Sequence, residues 1–252
     1  MLLAAGRGER MRPLTDRTPK PLLEAGGKPL IVWHIEKLVQ AGICELVINH
    51  AHLGTQIETA LGDGSRFGAH IRYSPEGSAL ETAGGIANAL SLLHPNLPDD
   101  AKDTEAQFAV ISSDIFCDYD FSYLPAHART LQSSGDMAHL VLVNNPQHHP
   151  DGDFALSGNR IYPFQNTSLF PAHPRLLTFS GIGIYQHSLF KDIPRGSIAR
   201  LAPLLHNQIV LGKVSGEHYQ GCWTDVGTPE RLAALNETLL SRPHATHSDI
   251  IR

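Results

Sequence analysis

"LLAAGRGERMRPLTDRTPKPLL" (residues 2–23) runs from a short apolar segment straight into a loop with two glycines, a cluster of arginines, Lys20 and three prolines. The chain around it is acidic: 252 residues carry 20 Lys and Arg against 25 Asp and Glu, a formal net charge of −5. Gly6 and Gly8 supply backbone whose amides can come close to a phosphate. A dinucleotide fingerprint would need a third glycine where Met11 stands, and a P-loop would need Gly-Lys-Ser/Thr opening a helix where Pro13 follows, so both motifs fail. What remains is a pair of cations after a first strand. Arg10 offers a fixed fork of donors, and Lys20 is a point charge on a segment that Pro19 and Pro21 stiffen into an extended form. Such a loop either holds a polyphosphate whose charge rises during reaction or is a solvated basic loop.

Outward from the loop, strand-like and helix-like patterns alternate. Pro29 opens a helix, "PLIVWHIEKLVQAG", with Ile31, Ile35 and Leu38 on one face and Gly42 as its stop. "ICELVINH" is a strand. "TQIETALG" reads as a helix opened by a capping box, Thr55 with Glu58. "HIRYSPE", "FAVIS", "MAHLVLV" and "FSGIGIY" read as strands, and "TAGGIANALSLL", "IARLAPLLHNQIVLG" and "PERLAALNETLL" as helices. "KVSGEHYQGCWTDVGTPE" reads as a strand pair; residues 94–107 and 144–176 are loop-rich. This alternation predicts an α/β fold: a Rossmann-like, mostly parallel mixed sheet with helices on both faces, one catalytic domain over 1–241 and a tail over 242–252. In such sheets ligands sit at the carboxyl ends of the strands. The loop after Ala5, Asp114 after "FAVIS" and Asp225 in "CWTDVG" all fall there.

Composition excludes several classes. Nothing in the charge balance points to nucleic acid or an anionic membrane, and no apolar run approaches spanning length. Three widely spaced cysteines without a CxxC favour buried thiols in a reducing compartment, and a cytoplasmic location is expected. Among 15 histidines there is no HExxH, and His148-His149 in "NNPQHHPDGD" reads as solvated loop. Asp118 and Asp120 read as solvent-facing residues at the start of a helix near Phe121.

The loop, "ETAGG", "SSDIF", "FSGI" and "WTDVGT" together closely resemble the sugar-1-phosphate nucleotidyltransferase family, over most of the chain. These enzymes join a nucleoside triphosphate to a sugar 1-phosphate and release pyrophosphate. "LGDGSRFG", "RYSPEG", "NNPQHH", "GDFAL", "LAPLL" and "KVSGEHYQGCWTDVGT" resemble the branch that takes UTP and N-acetylmuramate 1-phosphate in cell-wall recycling. The resemblance implies Mg²⁺ held by Asp114 and Asp225, and catalysis by Arg10 and Lys20. It implies nucleotide contacts from Ala5, Gly6, Gly8, Glu9, Arg10, Lys20, Glu76, Glu81, Gly84 and Gly85. Gly84 and Gly85 are expected to let the base lie on the backbone, with simple helix packing as the other reading. Sugar contacts are implied for Ser112, Asn144, Gly152, Asp153, Ser180, Gly181 and Trp223, although a lone Trp is more often core.

Two departures from the family pattern stand out. Ser112-Ser113 replaces an Asn-Gly or Gly before the aspartate, which alters the local sugar or ribose contact, and a Glu-Lys-Pro motif is missing. A muramate lactyl carboxylate would need a cation or free amides, with Lys213 and Arg200 as the charged candidates. The other readings are a mannose-1-phosphate guanylyltransferase or another enzyme of the family, and, from a different class, a non-catalytic nucleotide-sugar sensor. The chain has no hexapeptide repeats and reads as a bare catalytic domain whose first strand is clipped at Met1.

Overall fold

The computed structural model describes residues 1–95, 98, 106–163 and 174–241; the expected tail, 242–252, lies outside them. The main sheet has nine strands among the described residues. Its first part is parallel: β1 (Leu2–Leu3) lies between β4 (Glu45–His50) and β6 (Gln107–Ser112), and β5 (His70–Pro75) flanks β4. β11 (Arg175–Gln186) runs antiparallel to β6 on one side and to β8 (Ala138–Val143) on the other. β12 (Val214–His218) continues parallel to β8, followed by β10 (Arg160–Tyr162) and β9 (Phe154–Ser157), and β9 also pairs with the start of β11.

Side chains alternate across these strands, so both faces are buried. Leu2, Leu46, Ile48 and Ile111 join a core with Ile31, Ile35 and Leu38 of α1 (Leu30–Gln40), Ile57 and Leu61 of α2 (Gly54–Leu61), and Leu131 of α4 (Leu124–Ser134). Val47, Val110 and Leu140 join a second core with Ile86 of α3 (Glu81–Leu93) and Leu205 and Ile209 of α5 (Leu201–Val210). The predicted sheet with helices on both faces is therefore present.

Four local expectations are corrected. α2 has no capping box: Leu53 precedes it in a left-handed conformation, and Glu58 turns to His50 Nε2 at 2.7 Å. The last strand pair does not form, because β12 binds β8 and β10, while β13 (Trp223–Asp225) pairs with β7 (Ile115–Cys117) in a separate ribbon. α5 begins at Leu201, leaving Ile198 exposed. Lys20 is not extended either; Lys20–Leu22 forms a 3₁₀ turn after extended Pro19.

A third, smaller core fixes the signature loop. Met11, Leu23, Ala25 and Leu30 pack with Phe116 of β7, Val226 and Leu235 of α6 (Pro229–Ser241). Met11 is fully buried, which stabilises by about 1.5–3 kcal/mol. β2 (Glu24–Ala25) and β3 (Lys28–Pro29) form a small hairpin beside it. The loop cations and the β7–β13 ribbon are thus tied to one apolar anchor.

Candidate active site

Two adjoining cavities, of 350 and 650 Å³, open at the carboxyl ends of the parallel strands. They share Leu3, Glu81, Thr82, Ser112 and Asp114. The smaller is lined by Ala5, Gly6, Lys20, Asn49 and Glu76; the larger by Arg10, His148, His149, Asp153, Ser180, Gly181, Trp223 and Asp225.

Lys20 sits at the heart of the site. Its Nζ donates to Asp114 Oδ2 at 2.7 Å, with the lysine 7% exposed. Gly8 makes this possible: it lies at φ +67, and a Cβ there would meet Thr15 Cγ2 at 3.0 Å and Lys20 Cβ at 3.3 Å. Thr15 pins the turn by donating to the Gly8 carbonyl at 2.8 Å. Gly6, by contrast, has nothing within 4 Å of where a Cβ would be, so its backbone faces open space. Arg10 is exposed at the rim of the larger cavity, and Glu9 is exposed beside it.

The two aspartates are brought together by the ribbon. Asp225 pairs with Ile115 in register, and Val226 N–H donates to the Asp114 carbonyl at 2.9 Å. Asp225 Oδ2 receives Arg231 Nη1 at 2.6 Å and lies 3.3 Å from His148 Nε2, while Arg231 also reaches His148 Nε2 at 2.8 Å. His34, from α1, bonds the Ile115 carbonyl through Nε2 at 2.8 Å; burial drives its pKa down from 6.5 to about 4, so it is neutral there. As a donor set for Mg²⁺, two carboxylates, Asp114 in the turn between β6 and β7 and Asp225 at the end of β13, each with one oxygen taken by a cation, are chemically suitable because Mg²⁺ takes few protein carboxylates.

Beside the smaller cavity, Asn49 links the first strands to the loop beyond β5. Its Oδ1 accepts from Ala4 N–H at 3.0 Å and its Nδ2 donates to Glu76 Oε1 at 2.6 Å, while Glu76 Oε2 caps Leu80 N–H at 2.9 Å. Gly84 and Gly85 are buried against protein. A Cβ at Gly84 would fall 2.3 Å from the Ser197 carbonyl, and one at Gly85 would fall 2.5 Å from Glu76 Oε1. The small residues let α3 close on its neighbours. Glu81, at φ +61, is a non-glycine residue in a left-handed conformation at the junction of the two cavities. Strain of that kind clusters at functional sites.

Beside the larger cavity, β11 is broken by a bulge between Phe179 and Ile182. Gly181 sits there at φ +84, with Ser112 Oγ 2.9 Å from where a Cβ would be, and Trp223 Nε1 donates to the Ser180 carbonyl at 2.8 Å. Asp153 Oδ2 accepts from Phe179 N–H at 2.8 Å, and its Oδ1 lies 3.0 Å from His149 Nε2. Two expected residues do not line the cavity. Asn144 turns to His218, 2.9 Å away, and Gly152 packs on Asn145. Of the two cations expected for a carboxylate, Arg200 lines the larger cavity, whereas Lys213 stands before β12, at its far end. Asp118 bonds Tyr219 and Asp120 caps Ser122 N–H at 2.9 Å, as their solvent-facing role requires.

Sequence reasoning passed over Arg231, Asn49 and the His148-His149 pair. The histidines look like loop until the turn at 146–152 folds them over Asp225 and Asp153. Only the proximity of "PER" to "WTDVGT" hinted at Arg231.

Cations facing paired carboxylates across a two-part cavity define a phosphoryl- or nucleotidyl-transfer site. The Nucleotidyl transferase family model matches residues 1–242, and the chain belongs to that family. Its relatives are sugar-1-phosphate nucleotidyltransferases. The chain is 51% identical over 234 residues to the N-acetylmuramate alpha-1-phosphate uridylyltransferase of Neisseria meningitidis serogroup B, covering 92% of this chain and 94% of that one. It is 30% identical to the protein of the same name from Caulobacter vibrioides, over 93% of this chain and 94% of that one. It is 34% identical to the mannose-1-phosphate guanyltransferase of Gibberella zeae, over 91% of this chain but 61% of that longer one. A Bacillus anthracis structure described as a glucose-1-phosphate thymidylyltransferase, solved with sucrose, shares the fold at TM-score 0.75 and 22% identity, over 96% of this chain and 95% of that one.

Proposed function

We propose that the chain joins UTP and N-acetylmuramate 1-phosphate to give UDP-N-acetylmuramate and pyrophosphate, as a step in reusing cell-wall sugars. The observation that carries this reading is the Lys20–Asp114 contact at the junction of the two cavities, together with the 51% identity to an enzyme so named. The smaller cavity suits the nucleotide and the larger one the sugar phosphate. An oxygen of the sugar phosphate attacks the α-phosphorus of UTP. The bond from that phosphorus to the bridging oxygen breaks, and its electron pair leaves with pyrophosphate. Lys20, Arg10 and the open backbone at Gly6 meet the charge that builds on the phosphate oxygens. Mg²⁺ held by Asp114 and Asp225 would screen the two anions from each other. Arg231 and His148 hold Asp225 in place for that role. No residue needs to form a covalent intermediate.

Pyrophosphate release measured with UTP, Mg²⁺ and a panel of sugar 1-phosphates tests the reading. Release with N-acetylmuramate 1-phosphate supports it. Release with mannose 1-phosphate and GTP would favour the guanylyltransferase reading, which the Gibberella zeae relative motivates. Tight binding of nucleotide sugar without any release would favour a sensor.

A further inference from the structure

A cluster of three side chains lies outside both cavities, where α4, β8 and β12 meet. His127 of α4, His139 of β8 and Glu217 of β12 bring one nitrogen each and one carboxylate oxygen within 4.8 Å of one another. His127 Nε2 is 3.3 Å from Glu217 Oε1 and His139 Nε2 is 3.9 Å from it. Neither nitrogen is aligned for a hydrogen bond, and both are buried with no hydrogen-bond partner, the Glu217 carboxylate standing beside them at ion-pair distance. His139 is 8% exposed. Buried polar atoms are nearly always satisfied, so two orphaned imidazole nitrogens aimed at one carboxylate call for a ligand.

We propose that His127, His139 and Glu217 form a second cation site, of the Zn²⁺ class, separate from the Mg²⁺ expected at Asp114 and Asp225. Imidazole nitrogens suit Zn²⁺ and its neighbours, whereas Mg²⁺ prefers oxygen ligands. A tetrahedral ion with bonds of about 2.0–2.1 Å sets its ligands ~3.4 Å apart, close to the His127–Glu217 spacing. Outer partners of the expected kind are present. His139 Nδ1 pairs with Ser215 Oγ at 2.9 Å, and when it is the donor there Nε2 is left as a bare lone pair. Tyr119 donates to Glu217 Oε1 at 2.5 Å.

The two rings are stacked, with centroids 4.4 Å apart and planes 14° apart, so their lone pairs run side by side rather than to one point. The proposed site requires one ring to turn about its broad χ2 torsion so that they converge. His127 has the room, since its side chain is 23% exposed. Water completes the fourth position from that open side. The ion would clamp α4 to the sheet, a structural role with no step in the transfer reaction.

The test is Zn²⁺ titration of protein stripped with a chelator, followed by calorimetry, with Co²⁺ absorption as a second readout. The expected result is one Zn²⁺ per chain and the intense visible bands of four-coordinate Co²⁺, both kept in Asp225→Asn. Glu217→Gln and His127→Ala should lose binding by more than a hundredfold, and Tyr119→Phe should weaken it about 10–100-fold. Thermal melts of the stripped variants confirm that they fold. Binding that vanishes in Asp225→Asn instead, binding unchanged in folded Glu217→Gln, or no binding in wild type would each overturn the proposal. The last would leave the cluster as stacked imidazoles beside a carboxylate. None of these outcomes bears on the uridylyltransferase reading, which rests on other residues.

Discussion

Lys20 Nζ lies 2.7 Å from Asp114 Oδ2, although the two residues stand 94 positions apart in the chain. The contact joins the two halves of the site, the glycine-bearing loop and the turn that leads Asp114 into the β7–β13 ribbon. It also supplies a charge partner to a carboxylate whose side chain is 43% exposed.

Lys20→Met keeps most of the stem that packs under Gly8 and removes the charge. Turnover should fall by roughly two to four orders of magnitude, the size of losing one preorganised charge in such a site, with a circular dichroism spectrum like the wild type. Arg10→Ala should fall within the same range, and being exposed it should leave the melting temperature unchanged. Normal turnover in either variant removes that residue from the chemistry.

Arg231→Ala frees Asp225 from its 2.6 Å partner and leaves the His148 ring, 3.3 Å away, beside it. A misplaced ligand can cost about a hundredfold in rate. The loss should appear in kcat more than in the KM for UTP, because UTP is assigned to the other cavity. A pure KM effect for UTP would contradict that assignment.

Activity is expected to vanish in EDTA and return with Mg²⁺ alone, since Asp114 and Asp225 are hard oxygen donors. Asp225→Asn should fold but lose the metal-dependent rate. Full activity in EDTA would sink the assignment for both aspartates.

His34 is buried and neutral, its pKa lowered from 6.5 to about 4 by burial. Between those values the unfolded chain binds a proton at this site and the folded chain does not. Stability from this residue is therefore complete above pH 6.5 and is lost as pH falls toward 4, by about 3 kcal/mol at the limit. Urea melts of the wild type and His34→Gln across pH 4–7 measure it. A parallel pH slope in the two proteins would contradict the account.

Much of this was legible in the sequence because it rests on local signals. The alternation of β-branched runs with 3.6-period segments marked the layers, and Gly6, Lys20, Asp114 and Asp225 sat at predictable strand ends. Long-range contacts were not legible. Thr55 and Glu58 have capping-box spacing, but His50 competes for the glutamate. "KVSGEHYQGCWTDVG" has the look of a hairpin, but each half finds a better partner elsewhere. The close packing of the α3 glycines on Ser197 and Glu76 was likewise not legible, because only the fold brings those partners beside them. His148 carries no spacing signal, since its partner Arg231 is 83 residues away.

The most direct test of the central claim is a competition at equal concentration between N-acetylmuramate 1-phosphate and N-acetylglucosamine 1-phosphate, with UTP and Mg²⁺. The two differ by the lactyl carboxylate, and the larger cavity presents Arg10, Arg200 and His148 to meet such a group. A charge-assisted contact to that carboxylate, which the other sugar cannot make, favours the muramate substrate. The account predicts that UDP-N-acetylmuramate dominates the product by at least about tenfold, the ratio for ~1.4 kcal/mol. An excess of UDP-N-acetylglucosamine would contradict it.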